Sequence, residues 1–117
     1  MRPTLLLVSL LVGMGCNDDY VTPPADTNLL AGRITGILAL PSDPGAGDTI
    51  FATDCVFCHP TDGSAGAGKA LGTWIPDHTP EQALTAILAG TPGGMPSFEL
   101  TDQEAADLWA YLDTQFP

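Results

Sequence analysis

Residues 54–60 read DCVFCHP and contain two of the three cysteines in a chain of 117 residues. A Cys-x-x-Cys pair alone is compatible with a redox dithiol, half of a zinc site or a short disulfide loop. His59 follows Cys58 directly, and the pattern Cys-x-x-Cys-His is typical of covalent attachment of c-type haem. The motif therefore predicts that the thiols of Cys55 and Cys58 add to the two vinyl groups of a haem.

Two alternatives to haem at this motif find little support elsewhere in the sequence. A structural zinc site needs four ligands, and beyond the motif the chain offers only Cys16 and His78. A thioredoxin-like dithiol is expected within a βαβ pattern, which the sequence does not show. We therefore expect one haem c, with His59 as a ligand of its iron.

Met95 is the candidate for the opposite iron ligand. It lies in the segment GTPGGMPSF, residues 90–98, in which glycines let the main chain approach a flat cofactor and Pro96 stiffens the loop. A thioether ligand raises the reduction potential of haem iron. The alternatives are that Met95 only fills a gap in the core, or that His78 is the ligand instead. His78 directly precedes Thr79, and we expect it to be exposed or part of the capping region of the following helix.

Two later segments carry helix-start patterns. Thr79 with Gln82, and Thr101 with Glu104, have the spacing of a capping box, and Gly90 is placed to end the first of the two helices. No strand-like alternation appears in residues 46–117. The sequence thus predicts an all-α domain of about three to four helices.

The predicted domain is too small to build a large core from side chains. It has about 70 residues, many of them glycine or alanine, and domains of this size bury little apolar surface. A covalently attached haem is a planar apolar body that can fill the centre. We therefore expect the helices to wrap around the haem.

The N-terminus has the features of an export signal. Arg2 supplies a positive charge, residues 5–12 are apolar but too few to span a bilayer, and Gly15 directly precedes Cys16. This arrangement resembles a bacterial lipoprotein signal, in which Cys16 would become the lipidated first residue. The alternative is an ordinary secretory signal that leaves a free cysteine.

Composition divides the chain into three parts: a signal peptide over residues 1–15, a flexible membrane tether over 16–45 and the haem domain over 46–117. The first part of the tether has too little apolar content to fold. Residues 34–40 are more apolar and are compatible with a short strand or a helical turn laid against the domain.

The charge balance limits the possible partners. The chain carries 14 acidic residues against three basic ones, a formal charge of −11. Nucleic acid is excluded as a partner because neutralising phosphates requires lysine and arginine. The acidity suits redox proteins with a basic docking patch, or simply solubility.

Residues 46–117 resemble a small bacterial class I cytochrome c. The segment GDTIFATDCVFCH resembles the first helix and haem motif of that family, and GTPGGMPSF followed by LTDQEAADLWAYL resembles its axial-methionine loop and last helix. The resemblance implies that these two helices cross, so that Gly47 and Phe51 meet Leu108 and Tyr111.

One segment departs from the family pattern. The family often has Gly-x-Gly-Pro-x-Leu after the haem motif, with a main-chain carbonyl from the proline region accepting a hydrogen bond from the haem-ligating histidine. Residues 66–71 read GAGKAL, so Lys69 stands where proline is expected. The sequence leaves open which carbonyl holds His59. Trp74 is expected either to donate to a haem propionate or to pack on the haem edge.

Together these features predict an exported, lipid-anchored protein on the periplasmic side of a bacterial membrane. It would carry single electrons between redox proteins and have no small-molecule substrate and no enzymatic activity. Two alternatives remain: a haem protein that reacts with gas or peroxide at an open or labile sixth site, or the module through which electrons enter a larger oxidoreductase complex.

Overall fold

The computed structural model describes residues 23–117, so the predicted signal peptide and Cys16 lie outside the described residues. Five α-helices follow one another along this range: α1 Pro23–Leu38, α2 Pro44–Ile50, α3 Leu71–Asp77, α4 Pro80–Ala89 and α5 Asp102–Gln115. A π-helical turn, Phe51–Cys55, continues α2. No strand occurs between residues 23 and 117, which confirms the all-α fold class.

By its internal contacts the chain divides into two units, residues 1–30 and residues 31–117. The described part of the first unit is the beginning of α1. The second unit contains the rest of α1 and all the other helices. None of the helices in the described range combines the length and the apolarity needed to cross a membrane.

The second half of α1 corrects the prediction of a flexible tether over residues 16–45. The helix continues to Leu38, and the side chains of Ile34 and Ile37 are buried. These two isoleucines are three residues apart and therefore share one face of the helix. This apolar face is buried although the preceding residues of the chain are mostly polar. The folded part of the chain therefore begins before residue 46.

Arg33 attaches the same helix to the start of α5. Its Nε donates to the Asp102 carboxylate at 2.7 Å, and its Nη2 donates to the carbonyl of Leu100 at 2.6 Å. Asp102 is the first residue of α5, so the guanidinium links two segments that are 69 residues apart in the chain. A sequence pattern gives no indication of so distant a pairing.

The closest approach between helices is that of α2 and α5. A Cβ atom added to Gly47 would overlap the carbonyl of Asp107 and come within 2.8 Å of the Tyr111 Cβ. One turn later the Phe51 ring packs on the Tyr111 ring, with centroids 5.2 Å apart, and Phe51 also shares the buried core with Leu108. The crossing expected from the family resemblance is confirmed.

A buried carboxylate strengthens this crossing. Asp107 on α5 accepts hydrogen bonds from the main-chain N–H of Asp43 at 2.8 Å and from the Gln103 side chain at 2.9 Å. Asp43 is itself the N-cap of α2 and accepts from the Gly45 N–H. The start of α2 is therefore fixed to α5 by a buried acceptor that is satisfied by two donors.

The helix boundaries of α4 and α5 agree with the sequence prediction. Thr79 with Gln82, and Thr101 with Glu104, form complete capping boxes. Gly90 ends α4 with a φ of 77°, a left-handed value that glycine adopts without steric cost.

Helix α3 has no counterpart among the helix-start patterns identified in the sequence. Leu71 and Ile75 are one helical turn apart and both are buried in the core. This spacing of four residues is the feature of the sequence that could have indicated the helix. Pro76 lies in the last turn, where it lacks the N–H that would continue the helix, and α3 ends at Asp77.

Candidate functional site

The helices of the second unit enclose a cavity of about 990 Å³. Its inner wall is apolar and is supplied by the π-helical turn and by α3, α4 and α5, through Phe51, Leu71, Ile75, Ile87, Leu108 and Leu112. Two loops complete the wall, one following the Cys-x-x-Cys-His motif and one containing Met95. Within residues 23–117, the predicted haem-binding residues Cys55, Cys58, His59 and Met95 all line this cavity.

The motif residues lie together at one side of this cavity. Cys55, Cys58 and His59 all line it. The carbonyl of Cys55 accepts from the N–H groups of both Cys58 and His59, at 3.1 and 2.9 Å. This tight turn presents two thiols and an imidazole to the same space, as covalent haem attachment requires.

The geometry identifies which nitrogen of His59 is available to a metal. His59 Nδ1 lies 3.0 Å from the main-chain carbonyl oxygen of Lys69. A carbonyl only accepts hydrogen bonds, so Nδ1 carries the proton and Nε2 keeps its lone pair. The carbonyl that the sequence left open is therefore that of Lys69, which makes this bond without needing a proline ring.

The main chain of Gly68 lies against the His59 ring and helps to hold it in this orientation. A Cβ on Gly68 would overlap the His59 ring, so only glycine allows the loop to lie flat against the imidazole. The Gly68 N–H donates to the carbonyl of Cys58 at 2.8 Å, and its own carbonyl accepts from the Gly66 N–H at 3.2 Å. These bonds fix the loop and with it the Lys69 carbonyl.

The second loop brings Met95 to the cavity. Met95 lines the wall and is half-buried. Its carbonyl accepts from the Thr91 N–H at 2.9 Å, its N–H donates to the Thr91 hydroxyl at 3.3 Å, and the Phe98 N–H donates to the carbonyl of Ile87 in α4 at 2.9 Å. Met95 is thus held by a loop that closes on itself and is attached to a helix.

His78, the rival ligand, lies elsewhere. It is absent from the cavity wall; its ring stacks on Trp74 with centroids 3.7 Å apart and planes 10° apart, and its Nδ1 lies 2.7 Å from the Trp74 carbonyl oxygen. The side chain is half-buried, and His78 lies in the capping region between α3 and the N-cap Thr79 of α4. Trp74 itself lines the cavity, a position compatible with both roles considered for it. Trp74 and His78 are four residues apart in the chain, and this spacing could have indicated that their rings stack.

The electrostatics of the motif argue against the two alternatives to haem. Burial, together with the nearby Asp54 and Cys58, raises the pKa of the Cys55 thiol to about 11. A redox dithiol needs a thiolate near neutral pH, and zinc also binds the thiolate. Within residues 23–117, no cluster of three or more His, Cys, Asp or Glu side chains is arranged to hold a metal ion.

The residues present fit a haem c. Two cysteine thiols stand beside an imidazole whose Nε2 is available, and a thioether lines the same cavity from a second loop. The wall between them is apolar and contains glycines. These donors are the ones used for covalent haem with histidine and methionine ligation.

Comparison with known proteins supports this fit. Residues 42–112 match the sequence model of a family described as "Cytochrome C oxidase, cbb3-type, subunit III". A protein of Synechocystis sp. (strain ATCC 27184 / PCC 6803 / Kazusa) described as "Cytochrome c-553-like" is 31% identical over 81 residues, which cover 69% of this chain and 77% of the relative. No solved structure matches significantly. The chain therefore belongs to the cytochrome c family, whose members bind haem c and its iron covalently and transfer electrons through it.

Proposed function

We propose that this protein is a monohaem c-type cytochrome that carries single electrons between redox proteins. The observation that carries the proposal is the cavity wall itself, on which His59 and Met95 are presented by two different, internally hydrogen-bonded loops. A cavity with a protein ligand available for each axial position favours electron transfer over binding of an external molecule.

In this proposal each site residue has a defined role. Cys55 and Cys58 hold the cofactor as thioethers. His59 binds the iron through Nε2, with its ring oriented by the Lys69 carbonyl, and the Met95 sulfur binds from the other loop. Haem c supplies a reversible one-electron iron couple when it is attached.

The structure also favours a small reorganisation on electron transfer. The Met95 loop is closed by its two hydrogen bonds to Thr91, and the Lys69 loop by the bond from Gly68 to Cys58. Ligands held by such loops change position little when the iron changes charge. The neutral thioether also raises the reduction potential relative to oxygen or nitrogen ligands.

Met95→Ala tests the proposal. Without the thioether, the reduction potential should fall on the order of hundreds of millivolts, a large part of the roughly 0.8 V span that axial ligands control. The reduced variant should bind carbon monoxide, whereas the wild type should resist it. Redox titration and visible spectra of the purified holoprotein measure both effects, and Ser97→Ala in the same loop is the matched control.

The opposite result would favour the gas- or peroxide-reactive alternative. If the wild type binds carbon monoxide readily and Met95→Ala changes neither spectrum nor potential, then Met95 is a packing residue. The sixth position would be open or labile, and electron carriage would no longer be the best proposal.

We further propose that the protein is exported to the periplasmic side of a bacterial membrane and anchored there by lipid on Cys16. The support is the order of Arg2, the apolar residues 5–12 and Gly15-Cys16 in the sequence. Cys16→Ser should move the haem protein from the membrane fraction to the soluble fraction or leave it unprocessed. Wild-type protein recovered in the soluble fraction without detergent would contradict the anchor.

The family description favours a second candidate, that of the module through which electrons enter a larger complex. The matching family is described as a subunit of a cbb3-type cytochrome c oxidase, and the match covers residues 42–112. Such a module would use the same haem chemistry but remain bound to an enzyme. Native gels of solubilised membranes, stained for haem, distinguish the two: a free carrier migrates alone, whereas a subunit migrates with an oxidase.

A further inference from the structure

The end of α5 contacts the segment between the haem motif and α3. Phe116 directly follows α5; its N–H donates to the carbonyl of Leu112 at 3.0 Å, and its side chain is 5% exposed. The ring packs against the Phe51 ring, with centroids 6.3 Å apart, and does not line the haem cavity. The burial of Phe116 is therefore due to protein groups alone and does not depend on the cofactor.

Gly63, which follows the haem motif, lies against the Phe116 ring. Gly63 is buried, and a Cβ added to it would come within 3.1 Å of Phe116 Cε1. The residue before Phe116 contacts the same segment, because Gln115 Nε2 donates to the carbonyl of Thr61 at 3.4 Å. Neither Thr61 nor Gly63 lines the cavity. The end of α5 therefore supports this segment from the side that does not face the haem.

Gly63 is in turn attached to the first turn of α3. Its carbonyl accepts from the Gly72 N–H at 3.0 Å, and Gly72 is the second residue of that helix. Ala70 is the N-cap of α3, so the carbonyl of Lys69 belongs to the peptide group that leads into the cap. A displacement of Gly63 therefore moves the start of α3, and the Lys69 carbonyl moves with it.

We propose that Phe116 is a positioning residue for the His59 ligand. Its ring holds Gly63 in place, and the bond from Gly72 to Gly63 then fixes the start of α3. The start of α3 carries the Lys69 carbonyl, which lies 3.0 Å from His59 Nδ1. The inference rests on the proposed function, in which His59 binds the haem iron through Nε2.

The sign of the expected effect follows from that hydrogen bond. A carbonyl that accepts from Nδ1–H raises the basicity of the imidazole as a metal ligand. A more basic ligand favours ferric over ferrous iron, so a weaker bond to the Lys69 carbonyl raises the reduction potential. Phe116→Ala removes the ring from Gly63 and should therefore raise the reduction potential of the holoprotein, which redox titration measures.

A second measurement follows the hydrogen bond itself. In the reduced holoprotein, labelled at histidine nitrogen, NMR detects the proton on His59 Nδ1. In Phe116→Ala this resonance should shift to lower frequency and exchange faster with water, because the bond to the carbonyl is weaker. Phe116→Leu keeps an apolar side chain against Gly63, so its potential and its His59 resonance should lie between those of the wild type and Phe116→Ala.

Ile37→Ala is the matched control for the loss of buried side-chain volume. Ile37 lies in α1 and is fully buried, and it belongs neither to the cavity wall nor to the core cluster that contains Phe116. Its truncation should lower the unfolding temperature of the holoprotein, as Phe116→Ala does. The reduction potential and the His59 resonance of this control should stay those of the wild type.

The outcomes separate the inference from the proposed function. If Phe116→Ala lowers stability but leaves the potential and the His59 resonance unchanged, or if Ile37→Ala raises the potential equally, Phe116 is a packing residue and the inference alone is overturned. If Phe116→Ala gives no folded holoprotein, Phe116→Leu decides, and wild-type values there overturn the inference. A reduced wild type whose His59 ring protons show no shift from the haem overturns the proposed iron ligation and the inference with it.

Discussion

The α2–α5 crossing and the wall of the haem cavity both depend on a glycine, but the two glycines make room for different things. Gly47 lets two stretches of main chain come together, because any Cβ there would overlap the carbonyl of Asp107. Gly68 makes room for a side chain, because the nearest atoms to an added Cβ there all belong to the ring of His59.

The surroundings of the two glycines differ in the same way. At the crossing, protein groups pack directly on one another: the Phe51 ring lies on the Tyr111 ring, and Gly47 lies against the Asp107 carbonyl. At the cavity, main-chain hydrogen bonds hold His59 and Met95 beside a volume of about 990 Å³ that the chain does not fill. The comparison teaches that one half of the domain is stabilised by packing and the other half is organised for the haem.

The largest expected effect is that of preventing covalent haem attachment. The double substitution Cys55→Ser and Cys58→Ser should give a protein without stable covalent haem, little helical signal and rapid proteolysis. A domain of this size buries little apolar surface through side chains alone, so losing the haem removes much of what stabilises it. Circular dichroism and thermal melts measure the loss.

Val56→Ala is the control for that experiment, because it changes the same turn, keeps both thiols and lies off the cavity wall. A cooperative thermal transition in the colourless double variant would contradict the view that the domain depends on the haem. It would show that the α2–α5 packing alone suffices to fold the chain.

The next largest effect is expected at the crossing itself. Gly47→Ala places a methyl group against the Asp107 carbonyl and the Tyr111 Cβ, so α2 must move away from α5. Overpacking of this kind typically costs about 1–3 kcal/mol. Denaturant unfolding of the holoprotein should show this loss, while the haem spectrum stays that of the wild type.

Gly36→Ala in α1 is the matched control, since a Cβ there has no atom within 4 Å. It should leave stability unchanged or raise it by up to about 1 kcal/mol, because alanine favours a helix interior over glycine. Equal destabilisation by the two variants would mean that the close approach of α2 and α5 has no special importance.

The smallest effect on stability, but the most specific effect on the haem, is expected at Gly68. Gly68→Ala forces the His59 ring away from the loop and weakens its bond to the Lys69 carbonyl. The reduction potential and the ferric spectrum should shift, because this hydrogen bond orients the ligand and sets its basicity. Redox titration and visible spectra detect the change.

Gly32→Ala, in α1 and away from the cavity wall, provides the comparison for Gly68. An added Cβ there has no atom within 4 Å, so its haem properties should match those of the wild type. If both variants shift the potential equally, the effect comes from a general change in the domain and not from the His59 ring.

Much of the site was predictable because its residues are close together in the chain or carry distinctive chemistry. Cys55, Cys58 and His59 form one contiguous motif, and Met95 lies in a glycine- and proline-rich loop. Their common location on the cavity wall is an observation of the structure, whereas their roles as haem attachments and iron ligands remain predictions.

Other features escaped prediction because their partners are distant in sequence or belong to the main chain. The burial of Ile34 and Ile37, and the bonds from Arg33 to the start of α5, turn part of the expected tether into folded helix.

By itself the sequence determined the helical class and the capping boxes of α4 and α5, and it predicted a set of haem-binding residues, because helix signals and covalent attachment motifs are local. The tertiary structure decided that the Lys69 carbonyl holds His59, that His78 stacks on Trp74 away from the cavity, and that α1 joins the domain. These outcomes depend on which main-chain and side-chain groups meet after the chain has folded, and that proximity is set by packing rather than by the order of residues.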